Sequence, residues 1–240
     1  MYKENRARFY ERYLKRFFDV LVSATGFVLF SPVSLLCALA IKLDDPRGSI
    51  LFKQERNGKD GRVIRVIKFR TMKRELSGGC IVAHEDTLTG VGKVLRKLSL
   101  DEFPQLVNIL RGDMSLIGPR PLPLKYYSSF NQTELRRFAV RPGLTGLSQV
   151  NGRVNLNWDS RFLMDVQYVD NLSFWLDLKI FLRTFPVVFS HKDVMLESEG
   201  AMDNFDDYRR KQLEQEKINE AKKRLANDNA TVFRSKSMGA

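Results

Sequence analysis

The densest grouping of reactive side chains in this 240-residue chain is the string Arg96-Lys97-Leu98-Ser99-Leu100-Asp101-Glu102-Phe103-Pro104-Gln105. Two adjacent carboxylates, Asp101 and Glu102, stand near the cations Arg96, Lys97, Arg111 and Arg120. Such a set suits phosphoryl chemistry. A carboxylate can attack phosphorus and form an acyl phosphate. A second carboxylate, with Mg²⁺, handles the charge on the phosphates. Arginine adds a planar fork that binds phosphate oxygens in pairs. The string also has a purely structural reading. Ser99-x-x-Glu102 has the form of a capping box, in which the serine takes the Glu102 amide and the glutamate reaches back. Acidic residues are also expected in a first helical turn. Pro104 weighs against Ser99 as the cap, because its ring would meet the carbonyl of Leu100. A helix starting near Asp101 removes that clash and sets the carboxylate at a helix N-terminus, where free amides favour phosphate.

The elements around this string follow from pattern. Val91–Leu98 and Glu102–Leu110 look helical, and residues 50–72 read as short strands and turns, with turn signals at Asn57-Gly58 and Asp60-Gly61. Val63–Phe69 is β-branched and basic; if it is extended, Lys68 and Arg70 share one face. Leu76–Gly79 reads as a loop. Gly112, Gly118, Pro119, Pro121 and Pro123 mark an irregular connection, Glu134–Val140 a short helix, and Arg141–Gly146 a second turn-rich loop. In Ser173–Phe185 the residues Phe174, Leu178, Phe181 and Phe185 fall on one helical stripe. Trp175 and Leu182 lie beside it, with Lys179 and Arg183 opposite. That pattern suits a membrane interface and a core helix equally.

Val20–Ile41 is a run of 22 residues without a charge. At ~1.5 Å per residue a straight helix of this length reaches roughly 33 Å, enough for a hydrocarbon core of ~30 Å. Two features oppose a simple crossing. Pro32 cannot donate to the carbonyl of Val28 and disfavours helical angles at Ser31, whose hydroxyl can take up a freed carbonyl. Both flanks are also basic: Lys3, Arg6, Arg8, Arg12, Lys15 and Arg16 before the run, and Lys42, Arg47, Lys53, Arg56, Lys59, Arg62 and Arg65 after it. Basic flanks favour the cytoplasmic side. A helix broken at Ser31-Pro32 that enters and leaves on one face satisfies both. A kinked spanning helix and a signal peptide ending near Ala38-Leu39-Ala40 are the competing readings; the run is too long and its basic sequel ill-suited for the latter.

Composition bounds the rest. With 43% apolar and 28% charged residues, the chain is globular rather than disordered. Its net charge of +12 calls for an anionic partner. Nucleic acid fits the charge alone, and the long apolar run makes it a poor candidate. Two cysteines, Cys37 and Cys80, form no disulfide framework. His84 and His191 stand too far apart in sequence to suggest zinc. Asp206–Asn227 is dense in charge and reads as a solvated helix or disordered tail. The expected fold is α/β: a small helix-rich cytosolic domain with few short strands (43–200), anchored by a basic segment and re-entrant membrane helix (1–42), with a charged tail (201–240).

Several strings in order resemble the bacterial sugar transferase family, the monotopic phosphoglycosyl transferases. They are Lys15-Arg16-x-x-Asp19, Ser31-Pro32, Phe52-Lys53-Gln54-x-Arg56-x-Gly58, Lys68-Phe69-Arg70-Thr71-Met72 and Ser99-Leu100-Asp101-Glu102-Phe103-Pro104-Gln105. They continue with Gly112-Asp113-Met114-Ser115-Leu116-Ile117-Gly118-Pro119-Arg120-Pro121 and with the run from Arg141-Pro142-Gly143 to Asn151-Gly152-Arg153. The resemblance covers about residues 11–195. Phe103 replaces the family's usual leucine, a change of volume on the apolar side. The resemblance implies transfer of a sugar 1-phosphate from a UDP-sugar to a polyprenol phosphate, with Mg²⁺ and release of UMP, at the cytoplasmic face of the bacterial inner membrane. It implies Asp101 as nucleophile and Glu102 as its partner through the metal or the lipid phosphate, both near the metal. It also implies Arg120 of Pro119-Arg120-Pro121 on the diphosphate and Arg96 in support. Lys68, Arg70, Pro119, Arg141 and Arg153 complete the expected substrate-binding set. A different class remains: a membrane-anchored scaffold that holds anionic lipid or a partner without chemistry. It accounts for the charge and the aromatic stretches but leaves Asp101-Glu102 and Gly118-Pro119-Arg120-Pro121 unexplained.

Overall fold

The computed structural model describes residues 9–73, 88–152, 156–189 and 205–219. The expected loop at Leu76–Gly79, and Arg153, lie outside the described residues. One unit spans Met1–Met202 and a second Asp203–Ala240. In the second, residues 205–219 form a helix.

The first unit begins with a π-helical turn, Tyr10–Leu14, that runs into α1 (Lys15–Leu29). After Phe30 the chain resumes as α2 (Ser31–Asp44), and the two axes bend by 60°. No single described helix is long and apolar enough to cross a membrane; the bent pair passes that test only together. The break falls one residue earlier than the proline pattern suggests. Phe30, not Ser31, leaves the helical region (φ −95°, ψ 4°), and Pro32 sits in the first turn of α2. A missing amide costs nothing there, since first-turn amides have no intrahelical acceptor. Ser31 Oγ donates to the Val28 carbonyl at 2.8 Å, which satisfies the group that Pro32 cannot reach.

Lys15, Asp19 and Ser23, one turn apart on α1, are buried, whereas Phe17, Leu21, Phe27 and Leu29 are exposed. The polar face of α1 is thus the inward one. Asp19 accepts from Ser115 Oγ (3.0 Å) and Leu116 N (2.9 Å). Arg16 donates to the carbonyls of Ile109 (2.5 Å) and Leu110 (2.8 Å). Lys15 Nζ and Tyr10 OH both reach Asp177 Oδ2 at 2.6 Å, and Tyr168 OH reaches Asp177 Oδ1 at 2.7 Å. Burial, then the Asp177 carboxylate beside it, pushes the Tyr168 phenol well above its ordinary range.

The strands form two small two-stranded sheets. β1 (Leu51–Asn57) pairs antiparallel with β2 (Val63–Phe69), Leu51 opposite Phe69 and Asn57 opposite Val63. Helices α3 (Gly90–Lys97) and α4 (Gln105–Arg111) follow. β3 (Ser115–Ile117) pairs in parallel with β4 (Gly143–Thr145). Neither β3 nor β4 stands out in the sequence, where both segments read as irregular; each is three residues long and flanked by Gly or Pro. Gly143 is needed for their approach, since a Cβ there would lie 2.1 Å from the Gly118 nitrogen. Two 3₁₀ helices, Leu124–Ser129 and Glu134–Ala139, lie between β3 and β4. α5 (Leu147–Val150), α6 (Trp158–Asp170) and α7 (Phe174–Phe189) close the unit.

Three apolar clusters hold these pieces. Cys37 and Ile41 of α2 meet Phe69 and Leu95. Val66, Leu106, Ile109 and Met114 join β2 to α4. Ile117, Val140, Tyr168, Leu172 and Ile180 join β3 to α6 and α7. In α7 the two faces differ: Asp177 and Ile180 are buried, as a core helix requires, while Trp175, Leu182 and Phe185 are exposed.

Candidate active site

Asp101 and Glu102 lie in a 3₁₀ turn, Leu100–Glu102, between α3 and α4. The capping box expected at Ser99 does not form. Ser99 adopts the left-handed region (φ 55°), its side chain makes no cap hydrogen bond, and α4 starts only at Gln105. Pro104 explains the delay: it occupies the cap position instead of clashing inside the helix. Past the left-handed Ser99 the chain turns off α3, and Glu102 reaches Lys68 of β2 and Arg120 of the Pro119-Arg120-Pro121 string.

α3 is itself fixed against β2. Thr89 caps it by accepting from Gly92 N at 2.9 Å. A Cβ at Gly92 would lie 2.0 Å from the Thr71 carbonyl, so only glycine allows this seating. Arg96, in the last turn, donates to Thr71 Oγ1 at 3.0 Å. α4 is clamped to the other edge of β2 by Asn108. Its Oδ1 accepts from Ile67 N (3.0 Å) and its Nδ2 donates to the Arg65 carbonyl (2.8 Å). Gly112 ends α4 in the left-handed region (φ 91°), a conformation open to glycine at no steric cost.

Glu102 Oε1 receives Lys68 Nζ at 3.0 Å and an Arg120 amino group at 3.2 Å. Burial alone would raise the Glu102 carboxyl; Lys68 and Arg120 outweigh it and hold it at about 2. Asp101 is only 9% exposed. Burial, then the Glu102 charge, pushes it up to about 6, against the pull of Lys68, Arg96 and Arg120. Two neighbouring carboxylates are thereby differentiated, one held ionised by its cations and one shifted toward the neutral form. On the apolar side of the turn, Phe103 meets Phe30 with ring centroids 4.8 Å apart, so the break of the helix pair lies directly against the acidic turn.

Of the residues singled out by sequence, Asp101, Glu102, Lys68, Arg96 and Arg120 come together here. Pro119 is buried beside them, and its carbonyl accepts from Gly143 N at 3.0 Å. Arg70 and Arg141 do not join. Arg70 turns to the end of α2 and pairs with Asp45 at 2.7 Å. Arg141 Nε donates to the Gly112 carbonyl at 3.0 Å and caps the turn after α4. Both are scaffold contacts, made by residues that the family resemblance had grouped with the site. Sequence patterns did not single out Arg137, Asp165 or Ser148, which meet behind Arg120. Their only sequence signal is a charge at the buried phase of an amphipathic helix, Asp165 lying seven residues after Trp158 and three after Phe162.

Among the described residues, no group of three or more His, Cys, Asp or Glu side chains gathers in a form able to hold a metal. Asp101 and Glu102 supply at most two carboxylates. That donor set fits a hard cation such as Mg²⁺, which takes its remaining ligands from substrate phosphates and water.

The family model described as bacterial sugar transferase matches residues 10–191. The chain is 45% identical over 175 residues to an uncharacterized sugar transferase, EpsL, of Bacillus subtilis, covering 71% of this chain and 85% of that one. It is 45% identical over 184 residues to the UDP-glucose:undecaprenyl-phosphate glucose-1-phosphate transferase of Caulobacter vibrioides, covering 72% and 68%. It is 40% identical over 187 residues to a UDP-N-acetylgalactosamine-undecaprenyl-phosphate N-acetylgalactosaminephosphotransferase of Aeromonas hydrophila, covering 74% of this chain but 44% of that longer protein. Matched from Tyr10 to beyond the end of α7, the chain belongs to the bacterial sugar transferase family.

Proposed function

We propose that this protein transfers a sugar 1-phosphate from a UDP-sugar to undecaprenyl phosphate or a similar polyprenol phosphate, at the cytoplasmic face of the bacterial inner membrane, as a membrane step in polysaccharide or glycoconjugate assembly. The observation that carries the reading is the juxtaposition of Asp101-Glu102 with Lys68, Arg96 and Arg120 on one side and the Phe30 break on the other. One side suits a diphosphate and the other a lipid chain.

In this mechanism a carboxylate oxygen of Asp101 attacks the phosphorus next to the sugar. The bond from that phosphorus to the oxygen bridging to UMP breaks, and UMP leaves. An oxygen of the lipid phosphate then attacks the same phosphorus, the aspartyl–phosphorus bond breaks, and Asp101 is regenerated. Arg120 and Lys68 compensate charge on the diphosphate and hold Glu102 ionised. Arg96, fixed by Thr71, adds positive potential at Asp101. Asp101 and Glu102, with the donor's phosphates, would hold Mg²⁺, which when bound neutralises phosphate charge that the carboxylates would otherwise repel.

The bent pair α1–α2 serves as a re-entrant anchor. Its exposed apolar side chains, Leu35, Leu36 and Leu39 among them, lie in hydrocarbon, and the basic flanks stay on one face of the bilayer. Trp175, Leu182 and Phe185 of α7 rest at the interface.

Purified protein incubated with a panel of UDP-sugars, Mg²⁺ and undecaprenyl phosphate should release UMP with at least one of them. Asp101→Asn should lower that rate by about a thousandfold or more, with folding and membrane extraction unchanged. Without lipid acceptor, the parent should accumulate an aspartyl-phosphosugar. A folded Asp101→Asn protein that keeps a substantial rate removes Asp101 as nucleophile. A chain that binds vesicles of anionic lipid and releases UMP from no donor is a scaffold instead.

A further inference from the structure

Behind the cationic ring stands a charge that touches none of the acidic pair. Arg137, in the 3₁₀ helix Glu134–Ala139, has a side chain only 2% exposed. Its partner Asp165, on α6, is 4% exposed. Arg137 Nε and an amino group reach Asp165 Oδ2 at 3.1 Å and 2.7 Å. The other oxygen, Asp165 Oδ1, accepts from Ser148 Oγ of α5 at 3.0 Å. Three rings, Phe130, Phe138 and Phe162, surround the guanidinium, its carbon lying 5.3–5.5 Å from their centroids. An ion pair this deep is poor evidence for stability, because well-packed apolar side chains can serve as well.

Its geometry points elsewhere. The amino group that holds Asp165 also donates to the main-chain carbonyl of Arg120 at 2.8 Å. Arg120 lies between Pro119 and Pro121. Pro121 has no amide to donate and confines Arg120 to extended angles. Pro119 is tied to β4 through Gly143. Fixing the Arg120 carbonyl therefore leaves its Cα little freedom, and from that Cα the side chain reaches Glu102.

We propose that Arg137, held by Asp165 and Ser148, is a positioning residue for the Arg120 guanidinium. This rests on the phosphoglycosyl transfer reading above. Lysine can keep the charge but not the planar fork that serves two acceptors at once. A displacement of about 1 Å at a group that contacts substrate can cost up to about a hundredfold in rate.

The test is a double-mutant cycle on the full chain, read as kcat/KM for the UDP-sugar donor with thermal unfolding measured in parallel. Arg137→Lys should lower kcat/KM by about tenfold or more in the parent. In an Arg120→Ala background the same change should cost less than about twofold, because the group being positioned is gone. Ser148→Ala, which removes only the outermost hydrogen bond, provides the cycle if Arg137→Lys does not fold. It should cost about two- to threefold in the parent and nothing in Arg120→Ala. Equal losses in both backgrounds, or a folded Arg137→Lys protein of parental activity, overturn the positioning role while the transfer reading stands. A parent chain that releases no UMP overturns both.

Discussion

α1 and α6 obey the same helical pitch with opposite chemistry. In α1 the buried residues four apart are Lys15, Asp19 and Ser23, and the outward ones include Phe17, Leu21 and Val28. In α6 the buried residues four apart are Trp158, Phe162 and Val166, and the outward ones include Gln167 and Asp170. Periodicity tells which residues share a face, but not what solvent that face meets. Only the chemistry of the outward side chains does. A water-facing helix hides its apolar stripe. α1 hides its charges, exposes Phe and Leu, and turns its polar groups to the rest of the protein, the pattern on which the proposed membrane anchor rests.

The difference breaks most sharply under charge on the two outward faces. Leu36 of α2 and Leu163 of α6 are similarly exposed, 65% and 59%. Leu36→Lys with Leu39→Lys should release much of the protein from membrane to soluble or aggregated fractions. A lysine deep in a bilayer costs on the order of 2.5–3.5 kcal/mol. Leu163→Lys should leave fractionation unchanged and move stability by no more than about 0.5 kcal/mol. Equal behaviour of the two variants would mean that both faces meet water.

A second change, smaller in effect, tests the break between α1 and α2. Pro32→Ala restores an amide able to reach the Val28 carbonyl, so that the helix can run on through Phe30. Part of the population should then span, with its N-terminus outside. The shift is partial, because Arg16, Asp19 and Lys15 tie α1 to α4, β3 and α7. A cysteine introduced at position 3, with Cys37 and Cys80 replaced, reports this through an impermeant thiol reagent. The parent should be labelled only after spheroplasts are opened, the Pro32→Ala variant partly before. Labelling of the parent in intact spheroplasts removes the re-entrant topology.

How much of this was legible in the sequence follows from the range of each interaction. The uncharged run, its break and the acidic pair are local patterns, and the break falls within one position of where they place it, whereas Lys68 and Arg120 reach Glu102 from far along the chain. Pro104, also local, already weighed against a capping box at Ser99, but it set the helix start at Gln105 rather than near Asp101. β3 and β4 escaped notice because they hold each other across 27 intervening positions or so and are too short to alternate. The Arg137–Asp165–Ser148 post and the Lys15–Asp177 pair were invisible for the same reason. Each joins buried charges far apart in the chain, and nothing near either partner announces the other. Arg70 and Arg141 were grouped with the site by the family resemblance, although their forks serve the carbonyls and carboxylate of the scaffold.

The pair made by Arg70 marks the seam between the two kinds of region, and it yields the smallest of these effects. Asp45 ends α2, and Arg70 follows β2. Their contact is 2.7 Å, and Gly48 leaves the room through which the guanidinium passes, since a Cβ there would overlap it. Partial burial raises the Asp45 carboxyl, but Arg70 and the amides of Gly48 and Arg47 outweigh this and hold it below its ordinary value of 3.8. A carboxyl depressed in the folded state contributes stability that is present above its unfolded value and lost as pH falls through the folded one. At pH 7 Asp45→Asn should therefore lower the thermal midpoint of the detergent-solubilised chain. The gap between parent and variant should close as the pH falls below about 4. Arg70→Gln should show the same neutral-pH loss, and adding it to Asp45→Asn should cost little more, because each removes the same interaction. A gap that persists unchanged to pH 2.5 would assign the seam to packing around Gly48 rather than to charge.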